Sequence, residues 1–435
     1  MLEQFWFYLS IPLFCGAWYA HVVKKQRLAL VLLGIAALFL RVYISLDNYP
    51  HPWDERYHAL VAKNLLKSPL QPMLYAESII DFDYRNWVAN EVWLHKPPLT
   101  LWSIALSLKS FGISVFAIRI PSIILSLLSI FFTYGIAKSL FTKNIAFMAA
   151  FLLAINGLVL ELVGGRVPTD HVDIHFMSFI VGAIYFAVLH AQKKKLRDLL
   201  LMTLFLSFAL LTKWLPALIV LPLHFILCFH YKSWSLKALI LNYIVVLLVL
   251  FCIVSPWHFY IHSYFPNEAS WEASYNLKHL SHVVENREGN WYYYLNKIRV
   301  NYGEAIYFVL VFFAIGEKKF DLKRIFLITW FIIPFLFFSF VATKMQAYLL
   351  FTAPALMIMT AFFFYALKES KHFLLAKFKY VFLFVLMFIP VRYSLERLKP
   401  FKGEERHADW VEEIQRFPTN HDSQHVLFNY DPAME

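Results

Sequence analysis

Runs of apolar residues recur along most of this 435-residue chain, each of about 20 residues and so long enough to cross roughly 30 Å of hydrocarbon as a helix. Inside lipid a segment has to satisfy its own backbone N–H and C=O groups, and runs of this length do so as helices; a β-barrel is excluded. The expected fold is therefore an all-α polytopic membrane protein. Composition agrees, with 60% hydrophobic, 19% aromatic and only 16% charged residues.

The apolar runs fall at 4–23, 28–46, 113–137, 144–163, 171–190, 198–212, 214–229, 238–256, 304–316, 325–342, 347–367 and 379–395, giving about twelve expected transmembrane helices. The sixth and seventh are short and flank Lys213, which suits a hairpin that stops short of a full crossing. The N-terminus has Glu3 and no basic leader, and Lys24, Lys25 and Arg27 follow the first run, so that run reads as a retained span.

The connectors alternate in charge. KKQR, KSLFTK, KKKLR, HYKSWSLK, EKKFDLKR and KESKHFLLAKFK together hold 19 Lys or Arg, and the positive-inside tendency assigns all six to the cytoplasm. The net charge of +11 is thus accounted for by orientation signals, with no nucleic-acid partner; membrane lipids are the natural contact. The opposite face then receives residues 47–98, the Arg166–Asp170 turn, Lys213, residues 257–303, Lys344 and the C-terminal tail. In a bacterium this is the periplasmic side of the inner membrane.

Residues 47–98 hold seven acids beside five Lys or Arg. Within this outer stretch ERYHALVAKNLL and PPLTLWSIALSLKSFG form amphipathic helices lying at the interface. Asp54 and Glu55 are adjacent, so on a helix they point about 100° apart. One can face a reacting centre while the other holds backbone or a cation. Either of Asp54 and Glu55 can be the catalytic acid, the other then joining the substrate-binding set. Lys96, Arg166, Lys213, Arg287 and Lys344, with Asp170, gather on the same face, and so many cations suit an anionic ligand such as a phosphate. His95 and Lys96 lead into Pro97 and Pro98, whose fixed φ gives a stiff helix entry. Histidine pairs at 171/175, 258/262 and 279/282 share helix faces and permit metal binding. Trp291 to Tyr294 read as an interfacial aromatic belt. Cys15, Cys228 and Cys252 lie in apolar runs without metal spacing and read as buried small hydrophobes.

WDERYHALVAKNLL, HKPPLTLWSIALSLKSFG, RIPSIILSLL, GRVPTDHVDIHF, LLTKWLPAL, SPWHFYIH, GNWYYYL and TKMQAYLLFTAPAL follow in order along residues 28–366. In this order the chain resembles the GT-C membrane glycosyltransferases, in particular the bacterial branch that includes the aminoarabinose transferase of lipid A and is related to protein O-mannosyltransferases. The resemblance implies a GT-C transmembrane domain over residues 1–396, with catalytic loops 47–112 and 257–303, followed by a short periplasmic tail over 397–435. It implies transfer of a sugar from a polyprenyl-phosphate donor to a lipid, glycan or protein acceptor. Asp54 matches the family's catalytic acid, Lys96 the Lys of its Lys-Pro-Pro element and Asp170 the acid after its third span, while Lys213, Lys344 and Tyr348 match positions lining the donor cavity.

The aminoarabinose branch has Glu before Lys-Pro-Pro, a metal ligand together with a loop histidine. Here His95 stands there, which leaves a divalent metal ion as an open cofactor, with His95 and His279, or alternatively His282, as its ligands. Trp214 replaces the Gly that follows the Lys matching Lys213, and the large soluble C-terminal domain of that branch is reduced to a stub. A lipid-linked-sugar flippase without chemistry is the alternative, and it requires a charged path through the bilayer that the apolar runs do not offer.

Overall fold

The computed structural model describes residues 2–75, 82–169, 171–231, 234–315, 321–370 and 373–399. Asp170, the acids Glu77 and Asp81, and the tail beyond residue 399 lie outside the described residues.

Every apolar run is helical. The first two become α1 (Leu2–Val22) and α2 (Gln26–Ser45), an antiparallel hairpin. The outer stretch supplies α3 (Asp54–Asn64) and α4 (Pro98–Phe111), the two amphipathic helices expected there, and α4 opens on the Pro that cannot extend a helix backwards. Ser114 caps α5 (Val115–Leu140) by accepting from the Ala117 N–H. The fourth run is broken into α6 (Lys143–Ala154) and α7 (Gly157–Val163), bent by 49°. The cause is Asn156, whose Oδ1 caps α7 at the Val159 N–H while its Nδ2 donates to the Asn301 carbonyl. Next come α8 (His171–Lys193), α9 (Leu196–Lys213), α10 (Val220–His230) and α11 (Leu236–Tyr264). Between α9 and α10 Trp214 takes a φ of 68° and a 3-10 turn, Leu215–Ile219, reverses the chain.

Helix α11 continues through His258 and His262, so the first part of the expected outer loop is a helical extension. The rest is α12 (Pro266–Ser281) and α13 (Tyr293–Tyr302). Helix α14 (Ile306–Ile315) turns away from α13 by 116°. Then follow α15 (Leu322–Phe340), the 3-10 segment Gln346–Thr352, α16 (Ala353–Glu369) and α17 (Phe373–Arg397).

Among the described residues seven helices are long and apolar enough to cross a membrane alone, or nine if each bent pair is one span, against the twelve expected. The chain is a multi-pass membrane protein, and several of the expected runs are helices too short or too bent to qualify as crossings by themselves. Helix α8 and the segment leading into α16 are buried over 83% of their apolar windows and make the core, whereas α11 and α17 are buried over only 17%. In lipid the exposed apolar faces of α11 and α17 need no protein cover.

Polarity sorts the two ends of the bundle. At one end the basic connectors meet: Gln192 donates to the Ser139 carbonyl and the Tyr231 hydroxyl, Trp234 Nε1 to the Ala191 carbonyl, and Lys323 lies over the Phe141 ring. At the other end α3, α4 and α12 come together around an aromatic cluster. Trp87, Trp93, Tyr57 and His95 form it beneath an isolated antiparallel bridge between Met73 and Val92.

Candidate active site

Asp54 and Glu55 open α3, where acids favour the unsatisfied N–H groups of the first turn. Their fates diverge as two adjacent helical residues must. Glu55 is fully buried and accepts from Arg119 twice, Nε to Oε1 at 2.7 Å and Nη2 to Oε2 at 3.1 Å. It also accepts from His171 Nε2 at 3.1 Å and from the His51 backbone N–H at 2.6 Å. Burial opposes ionisation of this carboxyl, but Arg119 and His171 outweigh it and hold it at about 2. Arg119 spends its remaining N–H groups on the carbonyls of Ser45, Asp47 and Tyr49. Glu55 is therefore a clamp tying α3 to α5, α8 and the end of α2, and the substrate-binding role expected for it is corrected. Gly165 makes room for the clamp: with φ at +59°, an added Cβ would sit 2.3 Å from Oε1 of Glu55.

Asp54 is half-buried on the other side of α3. Its backbone N–H donates to the Pro168 carbonyl at 3.4 Å, so the 167–169 turn carries it. That turn is one wall of a cleft of about 310 Å³ whose other walls are Asn286 to Glu288, Tyr293 and Lys297, and Lys344 to Ala347. Arg287 lies 5.8 Å over the Trp53 ring, beside Asp54. It is set there by a tight turn in which Glu285 and Asn286 both have φ near +55°. Lys297 of α13 rests over the Tyr293 ring at 5.3 Å. Among the described residues neither Arg287 nor Lys297 has a carboxylate partner, which leaves two cations able to receive an anion.

Lys213, at the end of α9, pairs with Asp173 and lies 4.8 Å over the Tyr348 ring. Asp173, Glu285, Asp54 and Arg287 all act electrostatically on Tyr348, which puts Tyr348 among the charged groups of the site. The sequence reading passed over Asp173 as a ligand because it sits between two histidines that drew attention to themselves.

Other expected residues have different work. Lys344 lines the cleft with its stem, but its ammonium donates to the carbonyls of Val341 at 2.6 Å and Ser339 at 2.9 Å, satisfying the open C-terminus of α15. Burial pulls its pKa down. Its expected contact with donor phosphate is corrected to this capping role. Arg166 donates from Nη1 to the Arg397 and Lys399 carbonyls, which ties the 164–169 turn to the end of α17. Lys96 has no carboxylate partner among the described residues and acts electrostatically on His279.

His95 is buried, stacked on Trp87 with centroids 4.6 Å apart and planes at 11°, and donates from Nδ1 to Glu272 Oε1 at 3.0 Å. An imidazole from the Lys-Pro-Pro element thus meets a carboxylate from α12, which the sequence reading missed. His279 Nδ1 faces the Tyr275 carbonyl at 3.0 Å, and burial lowers its pKa. His282 is exposed and meets Ser281 Oγ. Among the described residues His95, His279 and His282 belong to no group of three metal-ligating side chains whose ligand atoms lie within 4.8 Å of one another.

Residues 95–260 match a family described as dolichyl-phosphate-mannose-protein mannosyltransferase. An uncharacterized protein of Aquifex aeolicus (strain VF5) is 26% identical over 344 residues, 78% of this chain and 64% of that protein. An undecaprenyl phosphate-alpha-4-amino-4-deoxy-L-arabinose arabinosyl transferase of Pseudomonas fluorescens (strain Pf0-1) is 24% identical over 285 residues, 61% of this chain and 48% of the relative. The chain thus spans between about half and two-thirds of the length of these relatives. ArnT from Cupriavidus metallidurans, solved bound to undecaprenyl phosphate, superposes with a TM-score of 0.61 at 18% identity, over 78% of this chain and 60% of that one. The chain thus shares the helical membrane fold of ArnT and is similar, over residues 95–260, to the dolichyl-phosphate-mannose-protein mannosyltransferase family.

Proposed function

We propose that this protein transfers a sugar from a polyprenyl-phosphate donor to a hydroxyl- or amine-bearing acceptor, with Asp54 as the general base. The observation that carries this reading is the placement of Asp54. It is half-buried, set on a helix locked by the Glu55 clamp, and bonded through its backbone to Pro168 in the wall of a cleft lined by Arg287 and Lys297, two cations without a carboxylate partner among the described residues. The relatives support it in kind, since their names specify undecaprenyl-phosphate and dolichyl-phosphate sugars.

In the proposed step the acceptor atom attacks the anomeric carbon as Asp54 takes its proton. The bond from that carbon to the phosphate oxygen breaks, and its electron pair leaves with the polyprenyl phosphate. Arg287 and Lys297 neutralise the phosphate before and after cleavage, and the phosphate is a good enough leaving group to need no strong acid. Lys213, held by Asp173, adds positive charge at the floor beside Tyr348. The acceptor class, whether lipid, glycan or protein, follows from no residue of the cleft.

By the alternation of basic connectors, residues 1–396 form the membrane domain of a bacterial inner-membrane protein, with the loops 47–112 and 257–303 on the periplasmic face. The test is the Asp54→Asn variant in native-like membranes supplied with radiolabelled polyprenyl-phosphate sugars. Transfer should fall at least a hundredfold while donor binding persists; near-native transfer removes Asp54 from the mechanism.

A further inference from the structure

At the opposite end of the bundle, far along α8 from the Asp54 cleft, His190 of α8 meets His224 and Cys228 of α10. His224 and Cys228 are four residues apart, on one face of α10. Their ligand atoms and that of His190 all lie within 4.8 Å of one another, and all three side chains are buried. His190 Nδ1 is 2.9 Å from His224 Nε2, and Cys228 Sγ is 3.4 Å from the same Nε2.

Proton counting fixes the tautomer of His224. The Tyr243 hydroxyl has one hydrogen and donates it to the Leu221 carbonyl at 3.0 Å. Toward His224 Nδ1, at 3.3 Å, that hydroxyl can then only accept, so Nδ1 carries the hydrogen. Nε2 is left as the unprotonated acceptor, facing His190 Nδ1 and Cys228 Sγ. A ring whose outer nitrogen is held as a donor is how ligating histidines are prepared for a cation.

A second observation points the same way. Asp198, on α9, is completely buried; its Oδ1 accepts from Arg197, while its Oδ2 has no hydrogen-bond partner. The carboxylate acts electrostatically on His190. A buried carboxylate oxygen without a hydrogen bond, on a group that pairs with Arg197 and acts on His190, still carries a desolvation cost that a nearby cation would reduce.

We infer that His190, His224 and Cys228 bind a single zinc-like divalent cation, with the buried Asp198 carboxylate supplying negative charge that acts on the site through His190. Bond lengths of about 2.0–2.1 Å to nitrogen and 2.3 Å to sulfur at tetrahedral angles place two ligand nitrogens about 3.3 Å apart and a nitrogen and sulfur about 3.6 Å apart. The present separations need to open by only a few tenths of an ångström. Two nitrogens and one thiolate select an ion of intermediate softness over magnesium or calcium. On binding, the Cys228 thiol gives its proton to solvent. The ion pins α10 to α8 beside the basic connectors and takes no part in sugar transfer.

The experiment uses the full chain in detergent, stripped by chelation and titrated with Co²⁺ as the spectroscopic probe. One equivalent should bind with a thiolate-to-cobalt charge-transfer band and the strong visible bands of a tetrahedral centre, and Zn²⁺ should displace it. The band should vanish in Cys228→Ser and persist in the Cys15→Ala/Cys252→Ala double variant, whose two thiols are exposed. If Cys228→Ser does not elute as a folded monodisperse species, His190→Gln takes its place and should weaken Co²⁺ binding at least tenfold. Absence of the band in the native chain, or its survival in Cys228→Ser, overturns the inference.

Discussion

Replacing Glu55 by Gln keeps the shape of the clamp and removes its charge. The carboxyl is held at about 2 against an ordinary 4.5, a difference worth about 3 kcal/mol at neutral pH. An independent route gives the same size: removing one partner of a buried ion pair costs roughly 3–5 kcal/mol, because the other charge stays buried. Arg119 is fully buried and keeps its three carbonyl contacts, so the lower end of that range applies. The assay is reversible unfolding in mixed detergent and dodecyl sulfate micelles at neutral pH. Glu55→Gln should lose about 3 kcal/mol, while Asp54→Asn changes stability by less than about 0.5 kcal/mol. The folded pKa lies below the unfolded one, so the clamp's contribution is complete above the unfolded value and is lost as pH falls toward the folded one. The gap between native and Glu55→Gln should therefore be constant above about pH 5 and close progressively toward pH 2. A Gln variant as stable as the native chain at pH 7, or a gap unchanged down to pH 3, refutes the clamp.

Arg287→Ala and Lys297→Ala should each raise the KM for the polyprenyl-phosphate donor about tenfold, the loss of one charge-assisted contact to phosphate. Steady-state kinetics check this, and equal kcat/KM in native and variant enzymes argues against both. Lys344→Met preserves the stem and leaves the α15 carbonyls without their donor, so it should cost about 1–3 kcal/mol in the same unfolding assay with donor KM unchanged.

How much of this was legible in advance follows from what each signal measures. Apolar length is a property of single segments, so the spans and the two interfacial helices could be read directly; α3 begins at Asp54 and α4 at Pro98, as their sequences suggest. The break at Asn156 was not legible, because one polar residue in an apolar run reads as a tolerated exception until its caps are seen. The choice between Asp54 and Glu55 was beyond the sequence for a similar reason. Their spacing says that only one can face the cleft, but which one depends on Arg119, which is 64 residues away and embedded in the apolar run that became α5. Glu272 and Lys297 were missed because each lies in a mixed, solvated stretch where charge is ordinary.

Polar residues inside apolar runs were the underused signal. A cation or carboxylate placed among membrane-embedded helices is too costly to stand alone, so each predicts a partner on a neighbouring helix. Glu55 answers Arg119 and His171, and Asp173 answers Lys213. His224 and Cys228 could have been flagged on the same ground, as an imidazole and a thiol one helical turn apart in an otherwise apolar segment. What the sequence withheld was His190, 34 residues earlier on another helix. The same physics thus operates at both ends of the bundle: buried charge is tolerated where it is matched. At the Asp54 end the clamp is complete and the neighbouring cleft keeps two unmatched cations for an incoming phosphate. At the connector end two imidazoles and a thiol face one another beside a carboxylate oxygen without a hydrogen bond on a group that acts on His190, and there the inferred cation completes the set.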